Sequence, residues 1–289
     1  MRAMVTGSEG FIGSRLVERL AADGNEVIGV DKKPYRDWFG RAAKHVPRLR
    51  EDVATLDRSE WNSLAVDVVF HLAAESRIQP SFDAPVKFVW SNTLGTAAVL
   101  DWATRHEAKV VYAGSSTADD DVTKNVYALT KRHGEELCLT FNHCFGTRVS
   151  IARFYNVYGP GQIEEGPYET VIGVFERQFR NGEKLTVTGD GGQRRDFTHV
   201  DDIVDGLIRM GEQELVGCPI FSFGSGTNYS ILEVARMFVG DERIEFVPKR
   251  PGESDVTLAN CELAERRLGW RPKASNLPSY VSSIVNGHA

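Results

Sequence analysis

The chain of 289 residues predicts an α/β fold: a doubly wound parallel sheet followed by a smaller, turn-rich lobe. Short β-branched runs alternate with helical periodicity, a cluster of glycines stands where the first run meets the first helix, and the rhythm changes after Tyr158. "RAMVTG" is an apolar run that stops at Gly7. "EGFIGSRLVERLAADG" then sets Ile12, Leu16 and Leu20 at i, i+4 and i+8, one stripe of a helix ended by Gly24. "NEVIGVD" reads as a buried strand. "VDVVFHLAA" (66–74), "AKVVYAGSS" (108–116) and "TRVSIARFYNVYG" (147–159) read as further strands, and helical pattern follows the first two. Alternating strands and helices require right-handed crossovers and a parallel sheet. Beyond Tyr158, segments such as "GPGQIEEGPYE" and "TGDGGQRRDF" break the alternation, so residues 158–289 are expected to be mostly a second lobe. "DDIVDGLIRM" (201–210) reads as a helix able to return to the sheet, giving an expected domain of 1–157 with 193–212 packed on it.

Composition narrows the function. Apolar residues make up 42% and charged residues 26%, a globular balance, and the net charge of −6 offers no basic surface for nucleic acid. Cys138, Cys144, Cys218 and Cys261 form no C-x-x-C pair and have no histidine cluster beside them. They are expected to be reduced thiols with no metal. The N-terminus carries no signal-peptide pattern, and no apolar stretch approaches the roughly 18 residues of a membrane span. The expectation is a cytoplasmic protein without nucleic-acid or membrane partners.

The junction Thr6-Gly7-Ser8-Glu9-Gly10-Phe11-Ile12-Gly13 lies between a strand and a helix. Gly7 permits a tight turn, Gly10 lets backbone approach a pyrophosphate, and Gly13 lets the helix pack close. The helix start then offers N–H groups and a positive dipole end to phosphates. Eighteen residues beyond Gly13, Asp31 ends the second strand, where a carboxylate accepts from a ribose diol and repels a 2′-phosphate. This favours NAD over NADP, although Lys32 and Lys33 follow at once. Asp52 and Val53 are expected to bracket the adenine.

Proton-transfer groups occur in "YAGSSTADDDVTKNVYALTK" (112–131). Tyr127 and Lys131 are four apart and share a helix face. A nearby ammonium favours the phenolate of a group that otherwise titrates near ~10, bringing a phenol into the range of a general base. Ser115 closes the preceding strand, with Ser116 beside it. His71 and His199 lie in strand patterns and read as packing residues, and Asp119–Asp121 as solvated turn acids.

The T-G-x-x-G-x-x-G spacing with a later Tyr-x-x-x-Lys resembles the short-chain dehydrogenase/reductase superfamily. "TGSEGFIGSRLVERL", "VVFHLAAES", "SNTLGTAAVLDWA", "RFYNVYGPGQ", "GDGGQRRDFTHVDDIVDG" and "RPGESD" resemble its extended branch, the nucleotide-sugar epimerases and dehydratases, in matching order along nearly the whole chain. The resemblance implies a Rossmann-type domain binding NAD, with Leu72, Ala73 and Ala74 among the cofactor contacts. It implies that Tyr127 takes the proton from a sugar C4 hydroxyl while hydride leaves C4, that Lys131 also holds the nicotinamide ribose, and that Ser115 is the third catalytic hydroxyl. It places Ser116, Asn156, Arg195, Arg250 and Glu253 against the nucleotide sugar, the two arginines on its pyrophosphate and Glu253 on the nucleoside ribose. It also implies a homodimer through helices around 83–104 and 125–145.

Two departures bear on the reaction. The family's 4,6-dehydratases follow the catalytic hydroxyl with Asp-Glu, whereas this chain has Ser116 and Thr117, neither an acid–base group at neutral pH. A 4-epimerase needs no such pair, so epimerisation at C4 of a UDP-hexose is the leading expectation. A dehydratase or decarboxylase of the same family is second, and a non-catalytic NAD-binding regulator third. The loop between Ser115 and Tyr127 is also shorter than the family's, which predicts a site that is more open or is completed by another segment.

Overall fold

The computed structural model describes residues 1–34, 43–55 and 61–287. Seven strands form the central sheet: β1 (Arg2–Thr6), β2 (Glu26–Val30), β3 (Arg48–Leu49), β4 (Val68–His71), β5 (Lys109–Ser115), β6 (Val149–Phe154) and β7 (Ile220–Phe223). Their order is β7-β6-β5-β4-β1-β2-β3, and every neighbouring pair is parallel. A parallel sheet is covered on both faces, which is why β4 and β5 are buried along their whole length.

One face is covered by α1 (Phe11–Ala22) and by the helix Val200–Glu212. Leu16, Val17 and Leu20 meet Ile203, Val204 and Leu207 in one apolar cluster. The buried stripe of α1 is centred on Phe11, Leu16, Val17 and Leu20; Ile12, which the periodicity puts inside, is only partly covered. The other face carries the helices Gly95–Arg105 and Val126–Phe145, whose Val99, Leu100, Trp102 and Cys138 pack on Val69, Val110 and Tyr112. A third cluster lies in the C-terminal half. There the helices Val171–Arg180, Ile231–Phe238 and Leu277–Val285 enclose the parallel pair Leu185–Thr188 and Ile244–Val247.

The sheet takes its seventh strand from beyond residue 157: β7 pairs with β6, and Trp270 stacks edge-on against Phe223 at 4.8 Å. Two buried carboxylates fasten these returning segments. Asp202 accepts from the backbone N–H groups of Lys273, Ala274 and Ser275, and Asp196 from those of Ser225, Gly226 and Ala259. A buried charge is tolerated where several donors replace its water.

The Val200–Glu212 helix approaches the sheet through Gly206, where a Cβ would stand 2.5 Å from the buried Phe223 ring. Gly206→Ala is therefore expected to destabilise the protein by about 1–3 kcal/mol through overpacking, read from the midpoint of urea unfolding.

Candidate active site

The turn after β1 is built around atoms that approach too closely for side chains. Gly7 has φ +74°, and a Cβ on it would lie 2.8 Å from the Ala73 nitrogen; one on Gly13 would lie 2.1 Å from the Gly7 carbonyl oxygen. Gly7 N–H donates to Val30 O, Gly10 N–H to Gly7 O, and Ala73 N–H to Thr6 Oγ1. Asp31 accepts from Glu9 N–H at 3.0 Å and from Lys33 N–H at 2.9 Å, so the carboxylate expected to meet a ribose also braces the glycine turn. Its remaining lone pairs are free to accept from a diol. α1 begins at Gly10 without a side-chain cap, which leaves its first-turn N–H groups to a phosphate.

Leu72, Ala73 and Ala74 follow β4 directly and are half-buried beside this turn; Phe11 is buried and Ile12 half-buried. β1 lies between β4 and β2, so the crevice at its carboxyl end is the place where open α/β sheets bind ligands. The donor set fits a dinucleotide. Asp52 accepts from Ala54 N–H at 3.0 Å in a turn of its own, and Val53 is packed against Gly95 in the core, so Val53 serves first as a packing residue.

Ser115 and Tyr127 come together. Ser115 closes β5 and caps the turn that follows, accepting from Thr117 N–H and lying 2.9 Å from Thr117 Oγ1. Tyr127 opens the Val126–Phe145 helix, which Asn125 caps through Ala128 N–H at 2.7 Å. Desolvation pushes the Tyr127 phenol above its usual range, opposed by the nearby Ser115 hydroxyl and by the charge of Arg77.

A second cation, Arg77, joins the expected pair. Lys131 is buried, donates to Ala113 O at 2.9 Å and sits 5.3 Å from the Tyr112 ring centre. Burial pulls its own ammonium down to about 8, and the charge of Arg77 opposes the rise of the Tyr127 pKa. Arg77 has φ +76°, a left-handed conformation unusual for a residue with a side chain, and its Nε donates to Tyr168 O at 3.3 Å. Nothing in "ESRIQPS" announces that conformation. The available signal was position alone, a few residues past the carboxyl end of a central strand.

The short loop does not leave the wall open, because another segment closes it. Asp120 accepts from Ser254 Oγ, Asn125 Nδ2 donates to Gly252 O at 3.0 Å, and Asp119 pairs with Arg153, which also holds Glu135. Of the three acids expected to be solvated, Asp119 and Asp121 are exposed and Asp120 is half-buried; Asp121 caps Thr123, while Asp119 and Asp120 fasten the shortened loop to Arg153 on β6 and to Ser254.

The expected substrate residues divide into two groups. Arg195 is buried on the strand Arg194–Asp196 and faces Glu253 at 3.4 Å. Burial pulls its guanidinium down, and Glu253, Asp120 and Asp255 oppose that. Glu253 therefore meets Arg195. Arg250 is half-exposed, 3.7 Å from Glu169, and lines an open cleft of about 480 Å³ with Lys124, Lys249, Pro251, Gly252, Glu253 and Asp255. Lys124 is a cation that motif reading missed. Asn156 has φ +26° and spends its Nδ2 on Asp196 O at 3.1 Å and Thr257 Oγ1 at 3.3 Å, holding the backbone next to Arg195. Ser116 is half-buried at the start of the turn capped by Ser115.

His71 bridges Thr6 and Thr96, and His199 caps the Val200–Glu212 helix between Tyr158 and Tyr280, both packing roles. Among the described residues no group of three His, Cys, Asp or Glu is placed to hold a metal ion, and no helix is long and apolar enough to cross a membrane.

Lys131 gives a pH test. Its folded pKa of about 8 lies below the ordinary lysine value of 10.5. The unfolded chain therefore binds the extra proton between those limits, and this group's cost to folding is full below pH 8 and vanishes as pH rises toward 10.5. The melting temperature of the cofactor-free wild type, relative to Lys131→Met, should rise from pH 8 to pH 10 in paired thermal melts.

Comparison with known proteins agrees with this geometry. Residues 3–219 match the model of the NAD dependent epimerase/dehydratase family. The chain is 32% identical over 301 residues to UDP-glucuronic acid decarboxylase 2 of Arabidopsis thaliana, covering 95% of this chain and 65% of that protein, so it spans about two thirds of that relative's length. It is 29% identical to the UDP-glucuronate 4-epimerase of Thermodesulfobacterium geofontis, covering 94% and 91% of the two chains. Among solved structures, MoeE5 in complex with UDP-glucuronic acid and NAD superposes with a TM-score of 0.84 at 28% identity, over 99% of this chain and 98% of that one. The family model covers most of the chain, and the chain belongs to the NAD dependent epimerase/dehydratase family.

Proposed function

We propose that this protein is an NAD-dependent nucleotide-sugar epimerase that inverts C4 of a UDP-hexose through a transient 4-keto sugar. The observation that carries the reading is the Ser115–Tyr127 hydroxyl pair beside the Arg77 cation, followed by Ser116 and Thr117 where an elimination would need carboxyl groups. The acids of the short loop do not fill that gap: Asp119 is committed to Arg153, and Asp120 to Ser254. UDP as the nucleotide is supported by relatives named for UDP sugars and by MoeE5, solved with UDP-glucuronic acid and with UDP-glucose. We assign residues 1–157, with 193–212 and β7, to the NAD-binding body and most of 158–289 to the sugar-nucleotide lobe.

In this reading a bound nicotinamide would supply the hydride acceptor and donor for C4, and the 4-keto sugar turns over between the two transfers. Tyr127 receives the C4 hydroxyl proton, with Ser115 sharing it, and returns it to the same oxygen once hydride has come back to the opposite face of C4. The charge of Arg77 opposes, without cancelling, the burial that raises the phenol. Lys131 holds the nicotinamide ribose. Arg195 and Arg250 bind the pyrophosphate, where planar guanidinium groups suit paired phosphate oxygens, and exchange their carboxylate partners for it. Asn156 and Ser116 complete the sugar-side contacts.

A second reading has a specific support, the 32% identity to a UDP-glucuronic acid decarboxylase. Oxidation at C4 of a uronic sugar creates a β-keto acid that loses carbon dioxide without an acid–base pair at C5 and C6, so the same residues serve. Product NMR separates the two: interconverting C4 epimers support epimerisation, and a pentose with carbon dioxide overturns it. Tyr127→Phe should lower turnover by at least about 10²-fold while the protein retains NAD. A wild type inactive on every UDP sugar tried favours a regulatory NAD-binding protein.

A homodimer is part of the proposal. Val86, Val89 and Trp90 on one helical segment, and Leu139 and Phe145 on the neighbouring Val126–Phe145 helix, are exposed. Apolar side chains grouped on adjacent helices mark an association surface. Light scattering is expected to give twice the chain mass of 32.1 kDa for the wild type, and Trp90→Glu should shift it to the monomer.

A further inference from the structure

Glu75 has no place in the chemistry above, yet it is 4% exposed and is the centre of an ionic cluster. Lys32 Nζ stands 2.6 Å from one of its carboxylate oxygens and Lys87 Nζ 3.1 Å from the other, to which the Tyr168 hydroxyl also donates. Its backbone is immobilised, with N–H donating to Asn92 Oδ1 at 2.8 Å and C=O accepting from Asn92 Nδ2 at 2.9 Å. Lys33 and Lys87 flank the Tyr168 ring at 5.9 Å and 6.0 Å from its centre.

The location of these bonds matters more than their number. Lys32 follows β2 and Glu75 follows β4, while β1 lies between those strands. The Lys32–Glu75 bond therefore crosses the carboxyl end of β1, above the turn of Gly7, Gly10 and Gly13. Tyr168 reaches the same acid from the C-terminal half of the chain, and its own carbonyl is held by Arg77. A dinucleotide running from Asp31 toward Tyr127 must pass this line.

We propose that Lys32, Glu75 and Tyr168 form a clasp across the dinucleotide groove that governs the release of bound NAD. The inference rests on the NAD site and is independent of which sugar is processed. Charge-assisted bonds anchored on an immobilised acid must break before the cofactor can leave, so the clasp acts on the dissociation rate. Slow release serves an enzyme that must keep the reduced cofactor until hydride is returned.

The test uses intact protein loaded with NAD, diluted into NAD-free buffer, with retained nucleotide quantified after acid extraction at timed intervals on a desalting column. Glu75→Gln should release NAD about ten-fold faster or more, with smaller accelerations in Tyr168→Phe and Lys32→Ala. The double variant Lys32→Ala/Glu75→Gln should be no faster than Glu75→Gln alone, because both changes remove one bond. Lys32 and Tyr168 are partly exposed, so their variants decide the matter even where Glu75→Gln fails to fold. Release rates in Lys32→Ala and Tyr168→Phe equal to or slower than wild type would overturn the clasp. A wild type that never holds NAD would overturn the cofactor site itself, a distinguishable result.

Discussion

The contact between Gly13 and the carbonyl of Gly7 is the constraint on which the rest of the site depends. With no room for a Cβ there, α1 starts against the β1 turn. That sets the direction of its free N–H groups, the place where Asp31 can brace Glu9, and the gap beside Ala73. The crevice is thus defined by backbone, which is stiff, and the side chains that do chemistry are brought to its rim by the ends of β4 and β5 and by the start of the Val126–Phe145 helix.

Much of this was legible in the sequence because it is local. The apolar runs of β1, β2, β4, β5 and β6, the glycine spacing, and the i, i+4 relation of Tyr127 and Lys131 each follow from a few neighbouring residues. What escaped depends on distant parts of the chain. No local pattern gives Arg77 its left-handed backbone or predicts that its charge reaches the phenol. Lys131 could be placed on the right helix face, but its ammonium is satisfied by Ala113 O on a strand 18 positions earlier. Likewise β7 pairs with β6 across a long separation, which a change of rhythm after Tyr158 does not reveal.

Buried acids recur as fasteners in this molecule. Asp196 and Asp202 gather backbone N–H groups from segments far along the chain, Glu135 holds Arg153, and Glu75 gathers two lysines and a tyrosine. Each joins separate parts of the chain through directional bonds, in addition to the packing that secures the sheet faces. Such fasteners choose one arrangement of the lobes more than they add stability, since desolvation offsets most of what pairing contributes.

The brief connection between Ser115 and Tyr127 has a further meaning once its ties are known. Because Asp120 and Asn125 grip Ser254 and Gly252, the length of that connection and the path of residues 250–254 are matched parts, and neither can change alone. A longer loop transplanted from a relative would push against the stretch carrying Arg250 and Glu253, so exchange of substrate preference between such enzymes requires both pieces to travel together.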